Sequence, residues 1–466
     1  MLSKFKMGGG HRSRSKFLLI IVPVICVFIA LGWIIIKTFD GEKPVINISP
    51  DISYISKELN VNVRSQDYKS GLKSIVVSLT QGEKSAVLYK KDFQGEILST
   101  DKNIKIDNAT LSIKPKELGF IDGKAILQIW VSDFSWRNAF KGNLTTLEKE
   151  VIIDTNPPVI NVLTKTHNIA SGGAGLVIYR LNETVEKTGV VVDDDFYPGY
   201  SGYYKDPFIY LSFFALDYNK KSVNKLHVMA ADKAGNNSVA GFYYHIIKKN
   251  YSKDILNITD NFLQMKLPEF EQYVQFDENL TNIEKYIKIN NDLRNESYNI
   301  ISKLSNKTDK VLYWNGPFLR FNGSPMAGFA DDRSYLYNGK IVDRQIHMGV
   351  DIASLEHAPV PAANSGKVIY ADFAGIYGNT VVIDHGFGLF SLYGHLSSIA
   401  VKKGQMVSRG DIIGNSGMTG LAGGDHLHFS IIVHRTYVNP VEWWDSNWIA
   451  NNITSKLEEV SSMLDK

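Results

Sequence analysis

The sequence is poor in several residue types, and each shortage removes a class of explanation. It has one cysteine, Cys26, so an intrachain disulfide and a Cys-based metal site are both excluded. A metal site would have to be built from histidines and carboxylates. Charge of either sign is not in excess: charged residues make up 21% and the formal balance is +3. That is too little to favour a polyanionic partner, and nucleic acid is not expected. No H-E-x-x-H helix motif occurs, which excludes the common metalloprotease design with a glutamate base. Long apolar runs are confined to one place, Phe17 to Ile36.

That run is long enough to cross the ~30 Å hydrocarbon layer as a helix, and Lys4, Lys6, Arg12, Arg14 and Lys16 precede it. The positive-inside rule predicts a cytoplasmic basic tail at 1–16, a single transmembrane helix at 17–36 and everything after Lys37 outside. The expected location is the inner (cytoplasmic) membrane, with the later domains periplasmic or extracellular. A cleaved signal peptide would need a shorter apolar core and a small-residue cleavage site, whereas Trp33 to Ile36 are bulky.

At 466 residues the chain is too long for one ordinary core. From about Asp40 to Asn250 it reads as short alternating strands, such as Ser74 to Thr80 and Ala125 to Ser132, separated by Gly, Asn, Asp and Pro. Pro44-Val45-Ile46-Asn47-Ile48 returns as Pro158-Val159-Ile160-Asn161-Val162, and the segment from Val131 to Asn138 is answered by that from Ala230 to Asn237. The repeat predicts two β-sandwich modules, at 41–155 and 156–250. They resemble the immunoglobulin-like modules of bacterial surface proteins, whose closing turn reads D-x-x-G-N; the first copy departs from it at Trp136 and Arg137. Spacer or steric gate is the role expected of them. Ile283, Tyr286, Ile287, Leu293, Ile300, Ile301 and Leu304 then recur at helical spacing, which predicts a helical connector over 251–310.

The remaining portion, 311–450 with a tail at 451–466, concentrates the chemistry. Seven of the eleven histidines fall between His347 and His434. His347 and Asp351 are four apart, and on a strand such positions point the same way. His426 and His428 flank Leu427 at the head of an apolar strand, so their imidazoles share a face. His395 closes the run from Leu389. Two imidazoles, one carboxylate and an open position suit catalytic zinc, while a redox iron site could use the same set. His357, His385 and His434 belong to no such constellation.

H-x-x-x-D, an isolated Gly394-His395-Leu396 and a final H-x-H, in that order, resemble the signature of lysostaphin-like M23 (LytM-type) zinc peptidases. Val360-Pro361-Ala362-Ala363, Tyr377-Gly378-Asn379, Asp384-His385-Gly386 and the glycine turns from Gly404 to Gly420 agree with it. The resemblance implies a mainly β fold with a C-terminal antiparallel-β peptidase domain, and zinc held by His347, Asp351 and His428. It places His395 and His426 as catalytic residues. It also implies a zinc-dependent endopeptidase acting on the peptide cross-links of bacterial peptidoglycan, a D,D-endopeptidase on meso-diaminopimelate cross-links or one cutting glycyl-glycine bridges. The alternative is a non-catalytic LytM-type scaffold or activator of a cell-wall amidase. Val401 to Gly414 also resembles the hairpin of biotinyl and lipoyl carriers, but it continues into the H-x-H strand instead of displaying a lysine at its turn. A cross-link hydrolase needs restraint, so the β-modules or the connector are expected to cover part of the groove, and envelope proteins could act as regulatory partners.

Overall fold

The computed structural model describes residues 13–96 and 100–465. They form two compact units, residues 1–156 with 233–236, and residues 157–232 with 237–466.

The first unit begins with helix α1 (Ser13–Thr38), which covers the predicted span. Its apolar side chains, among them Val22, Phe28 and Trp33, are exposed. Among the described residues no helix is long and apolar enough to cross a membrane, so the expected spanning segment is not supported. Lys4, Lys6 and Arg12 of the predicted basic tail lie outside the described residues.

After α1, a three-stranded and a five-stranded antiparallel-rich sheet enclose one core. The alternation in the sequence explains the arrangement. In Gly123–Asp133, Leu127, Ile129 and Val131 are fully buried while Ile126 is exposed. In Ile106–Ile113, every second residue is buried. Period-two patterning of this kind gives each strand one apolar face, and two such faces make a sandwich.

The second unit opens with two four-stranded sheets, centred on Ala174–Leu181 and Lys187–Val192. Strand β1 (Lys253–Asn257) follows, then helices α2 (Asp260–Phe270), α3 (Asn282–Lys288) and α4 (Arg294–Leu304). Thr259 caps α2 by accepting from the Phe262 N–H, and Thr281 with Glu284 forms a capping box on α3. Strands β2 (Asp332–Tyr337) and β3 (Lys340–Ile346) form a hairpin, and β1 joins it in parallel beside β2.

The large sheet of the C-terminal portion contains β4 (Val350–Ala353), β5 (Gly366–Phe373), β6 (Asn379–Asp384), β7 (Leu389–Leu396) and β8 (Leu427–Val433). Their spatial order is β4-β8-β7-β6-β5, all antiparallel. β7 and β8 are buried along their whole length, which places them at the centre. One hydrophobic core runs through this sheet, the connector helices and the preceding β-module. Phe213 of that module packs on Trp314 and Trp443, with ring centroids 6.1 and 6.4 Å apart. The expected tail is instead helical, α5 (Ser455–Leu464), and Tyr204 donates to the Leu457 carbonyl at 2.9 Å.

Candidate metal centre

The site is built where β4, β8 and β7 run side by side. Asp351 on β4 is the direct cross-strand partner of His428 on β8, and Gly394 on β7 is its partner on the other side. His347 lies just past the end of β3. The strand geometry expected of H-x-x-x-D therefore does not apply, because the chain leaves extended pairing at His347 and re-enters it at Val350. Convergence comes from the turn at Met348-Gly349. That turn needs glycine: a Cβ on Gly349 would lie 2.6 Å from the His428 ring and 2.6 Å from Ser430 Oγ.

His347 Nε2, Asp351 Oδ1 and His428 Nδ1 meet within 3.0 Å of one another. All three residues are buried. Their outer hydrogen bonds fix the protons. His347 Nδ1 lies 2.8 Å from the Gly328 carbonyl, which can only accept, so Nδ1 carries the hydrogen and Nε2 presents a lone pair. Ser430 Oγ donates to the Met348 carbonyl at 2.8 Å, so it accepts from His428 Nε2, 3.0 Å away. His428 Nδ1 then also presents a lone pair. Three acceptor atoms thus face one point without a hydrogen between them, an arrangement that repels itself unless a cation occupies the centre. Two imidazoles and a carboxylate, each backed by a second hydrogen bond, fit zinc.

Arg333 on β2 completes the shell, donating from Nη2 to the second Asp351 oxygen at 2.9 Å. Burial would raise the Asp351 carboxyl, but His347, His426 and His428 hold it well below the usual carboxylate range. Burial pushes His428 down to about 4 despite the neighbouring carboxylate. No local sequence signal marks Arg333, since it arrives from a hairpin outside the histidine motifs.

His395 and His426 lie beside this cluster, with ring centroids 4.8 Å apart. His395 Nδ1 is 2.8 Å from the Thr419 carbonyl and His426 Nδ1 is 2.9 Å from the Gly424 carbonyl. Both Nδ1 atoms therefore carry hydrogen, which leaves each Nε2 free for chemistry. His426 Nε2 lies 3.6 Å from Asp351 Oδ1. Burial opposes charge on His426, yet Asp351 raises it above the ordinary histidine range; burial, with His426 and His428 alongside, lowers His395 well below it.

The position of His395 depends on a bulge. Asn379 pairs with Leu396 and Val381 with Tyr393, so Gly394 and His395 together oppose Thr380. His395 adopts φ 61°, a left-handed conformation that a side-chain-bearing residue takes only when its surroundings enforce it. The loop beneath is held from the connector: Lys266 donates to the Met418 carbonyl, and Glu269 accepts from the Gly420 N–H. Helix α2 thereby steadies the segment whose carbonyls orient His395 and His426.

These side chains open into a pocket of about 420 Å³. Tyr377 and the loop from Leu421 to Gly424 form one wall. The other wall comes from the connector and the first hairpin: Ile258, Phe262, Tyr286, Arg294 and Tyr335. Three histidines stand apart from the cluster. His385 is buried between the Ser365 carbonyl and Ser391, His434 stacks on Tyr200, and His357 bonds to Asp425.

Residues 345–440 match the model of Peptidase family M23. The chain is similar to the peptidoglycan DD-endopeptidase ShyB of Vibrio cholerae serotype O1, with 38% identity over 116 residues, 25% of this chain and 26% of that protein. It is also similar to the peptidoglycan DD-endopeptidase ShyA of the same organism, with 45% identity over 96 residues, 21% of this chain and 22% of that protein. Among solved structures, the catalytic domain of the antimicrobial peptidase lysostaphin from Staphylococcus simulans is 32% identical, over 26% of this chain and 92% of that one, with a TM-score of 0.23. The matched segments span about a quarter of the length of these curated relatives.

Proposed function

From the M23 peptidase domain at the C-terminal end of the chain, we propose that this protein is a zinc-dependent endopeptidase that hydrolyses peptide cross-links of bacterial peptidoglycan, with D,D-bonds as its target. The observation that carries this reading is the convergence of three lone pairs at His347, Asp351 and His428, beside two histidines with free Nε2 atoms in one pocket. When bound, zinc supplies Lewis-acid polarisation of the scissile carbonyl and acidifies water at neutral pH.

The chain's own residues do the rest. His347, Asp351 and His428 hold the ion, and Arg333 keeps the Asp351 carboxylate oriented. Of His395 and His426, one takes the proton of the attacking water. The other, carrying a second proton at Nε2, donates a hydrogen bond to the developing oxyanion or that proton to the departing amine, so the C–O bond forms first and the amide C–N bond then breaks as the amine leaves protonated. Their Nδ1 hydrogen bonds to fixed carbonyls keep both Nε2 atoms directed into the pocket.

The test is metal content and muropeptide conversion by the full chain, with His347→Ala and His395→Ala alongside. The expected result is about one zinc per chain and conversion of cross-linked dimers to monomers. His347→Ala should lose both, and His395→Ala should keep the metal and lose turnover. Metal without conversion in the unaltered chain would replace this reading with that of a scaffold or amidase activator.

We extend the proposal to location. The exposed apolar side chains of α1 support attachment at the inner membrane, with the later domains outside the cytoplasm and within reach of the cell wall. Membrane fractionation and protease accessibility in cells check this; a chain recovered only from the soluble cytoplasm would refute it.

A further inference from the structure

The pocket contains two guanidinium groups in different circumstances. Arg333 is committed to Asp351. Arg294, at the start of α4, lines the same pocket, and among the described residues no carboxylate pairs with it. Its Nε donates to the Asn290 carbonyl at 3.1 Å and its Nη2 to Asn290 Oδ1 at 2.6 Å. Asp343, which shares Asn290 with this arginine, is engaged by Asn290 and Asn291. Around Arg294 stand the phenol rings of Tyr298, Tyr335 and Tyr377, and Tyr377 packs on the His428 ring at 5.1 Å between centroids. Arginine stays charged at any working pH and offers a fork of donors matched to a carboxylate. A guanidinium held against neutral groups at the wall of a substrate pocket calls for an anion from the substrate. Arg294 also lies outside residues 345–440, so it belongs to what this chain adds around the matched domain.

Cross-links differ in this respect. Where the acceptor amine belongs to a diamino diacid such as meso-diaminopimelate, the carbon bearing that nitrogen keeps a free carboxylate beside the scissile amide. Glycyl bridges and lysine side chains present no charge there. We propose that Arg294 is the carboxylate-recognition residue of this pocket, selecting cross-links that carry a free carboxylate next to the scissile bond over bridges of neutral residues. The proposal rests on the hydrolase reading and adds to it the residue that selects the substrate.

The experiment uses the metal-loaded full chain and two synthetic cross-linked peptides, identical except that one carries the carboxylate and the other a carboxamide at that carbon. The carboxylate peptide should be cleaved with kcat/KM at least about tenfold higher, the difference lying mainly in KM, as loss of one charge-assisted hydrogen bond implies. In Arg294→Gln the ratio should fall towards one. If that variant fails to fold by circular dichroism, Arg294→Lys, which keeps the charge without the fork, should retain a reduced preference. Equal cleavage of both peptides by the unaltered chain, or an undiminished ratio in either variant, overturns the proposal and leaves the hydrolase reading standing. Cleavage of neither peptide overturns both.

Discussion

Replacing Gly349 by alanine adds a single methyl group, and the structure makes that the most informative small change near the metal cluster. The new Cβ would stand 2.6 Å from Cε1 and Nε2 of His428 and 2.6 Å from Ser430 Oγ. Ordinary contact for a methyl carbon is ~3.5–4.0 Å, so these atoms would have to separate by about 1 Å. The ring cannot retreat without cost, because Ser430 holds its Nε2 and β8 is buried on both faces. Overpacking at such a site costs ~1–3 kcal/mol of stability. Disturbing the ligand and its supporting hydrogen bond together should weaken metal affinity by about 10–100-fold. Gly424 provides the control, since a Cβ there meets nothing within 4 Å. Competition with a chromophoric chelator, read alongside circular dichroism, measures the effect in both variants. A folded Gly349→Ala protein that binds zinc as tightly as the unaltered chain would refute the proposed geometry of the centre.

Ser430→Ala removes the acceptor that sets the His428 tautomer and should reduce zinc affinity ~10-fold or more with little change in melting temperature; unchanged affinity would show that the ring is fixed by packing alone. Lys266→Met breaks the tie from α2 to the Met418 carbonyl and should lower kcat while metal content stays at one per chain, because the loop orients His395 and His426 and not the ligands; loss of metal in step with activity would argue otherwise. Glu442, half-buried and accepting from the Ala174 N–H at 3.3 Å, is pushed up to about 8 by the loss of solvent around its carboxyl. Its folded form holds a proton that the unfolded chain releases from its ordinary 4.5 upward, so stability falls as pH rises between those values, by up to ~1.4 kcal/mol per pH unit. Glu442→Gln should therefore lose less melting temperature than the unaltered chain between pH 5 and 8; parallel profiles would contradict this.

What the sequence made legible follows from local periodicity. The alternation through Leu127, Ile129 and Val131 marks a sandwich strand, and the placement of Leu427 between two histidines marks a shared face, because both patterns depend only on neighbours along one strand. Features that depend on a break in regularity were hidden. The bulge that turns His395 inward has no signature beyond Gly394, and the departure from extended pairing at Met348-Gly349 replaces the strand spacing expected for His347 and Asp351. Contributions from distant segments were hidden too: Arg333, Arg294, Tyr286 and Lys266 reach the site only once the connector packs on the sheet. The helix at Ser455–Leu464 escaped for a related reason, since its buried positions face the preceding β-module and its apolar stripe is narrow.

The division of labour that results separates two readings of the same domain. A scaffold needs only the surface of the groove, and could keep it with a different donor set at its base. A hydrolase needs lone pairs and protons in assigned places, and here five side chains have theirs set by four acceptors and one donor: Gly328 for His347, Ser430 for His428, Thr419 for His395, Gly424 for His426, and the Arg333 donor for Asp351. Thr419 and Gly424 share one loop, but Gly328, Ser430 and Arg333 come from three other segments, so no single structural requirement of the fold accounts for all of them. The ion-binding half of the pocket lies within the matched segment, apart from Arg333, while the substrate-facing wall of Phe262, Tyr286, Arg294 and Tyr335 lies before it. Binding the ion and choosing the cross-link are therefore separable by mutation, the first through Ser430 and Gly349, the second through Arg294.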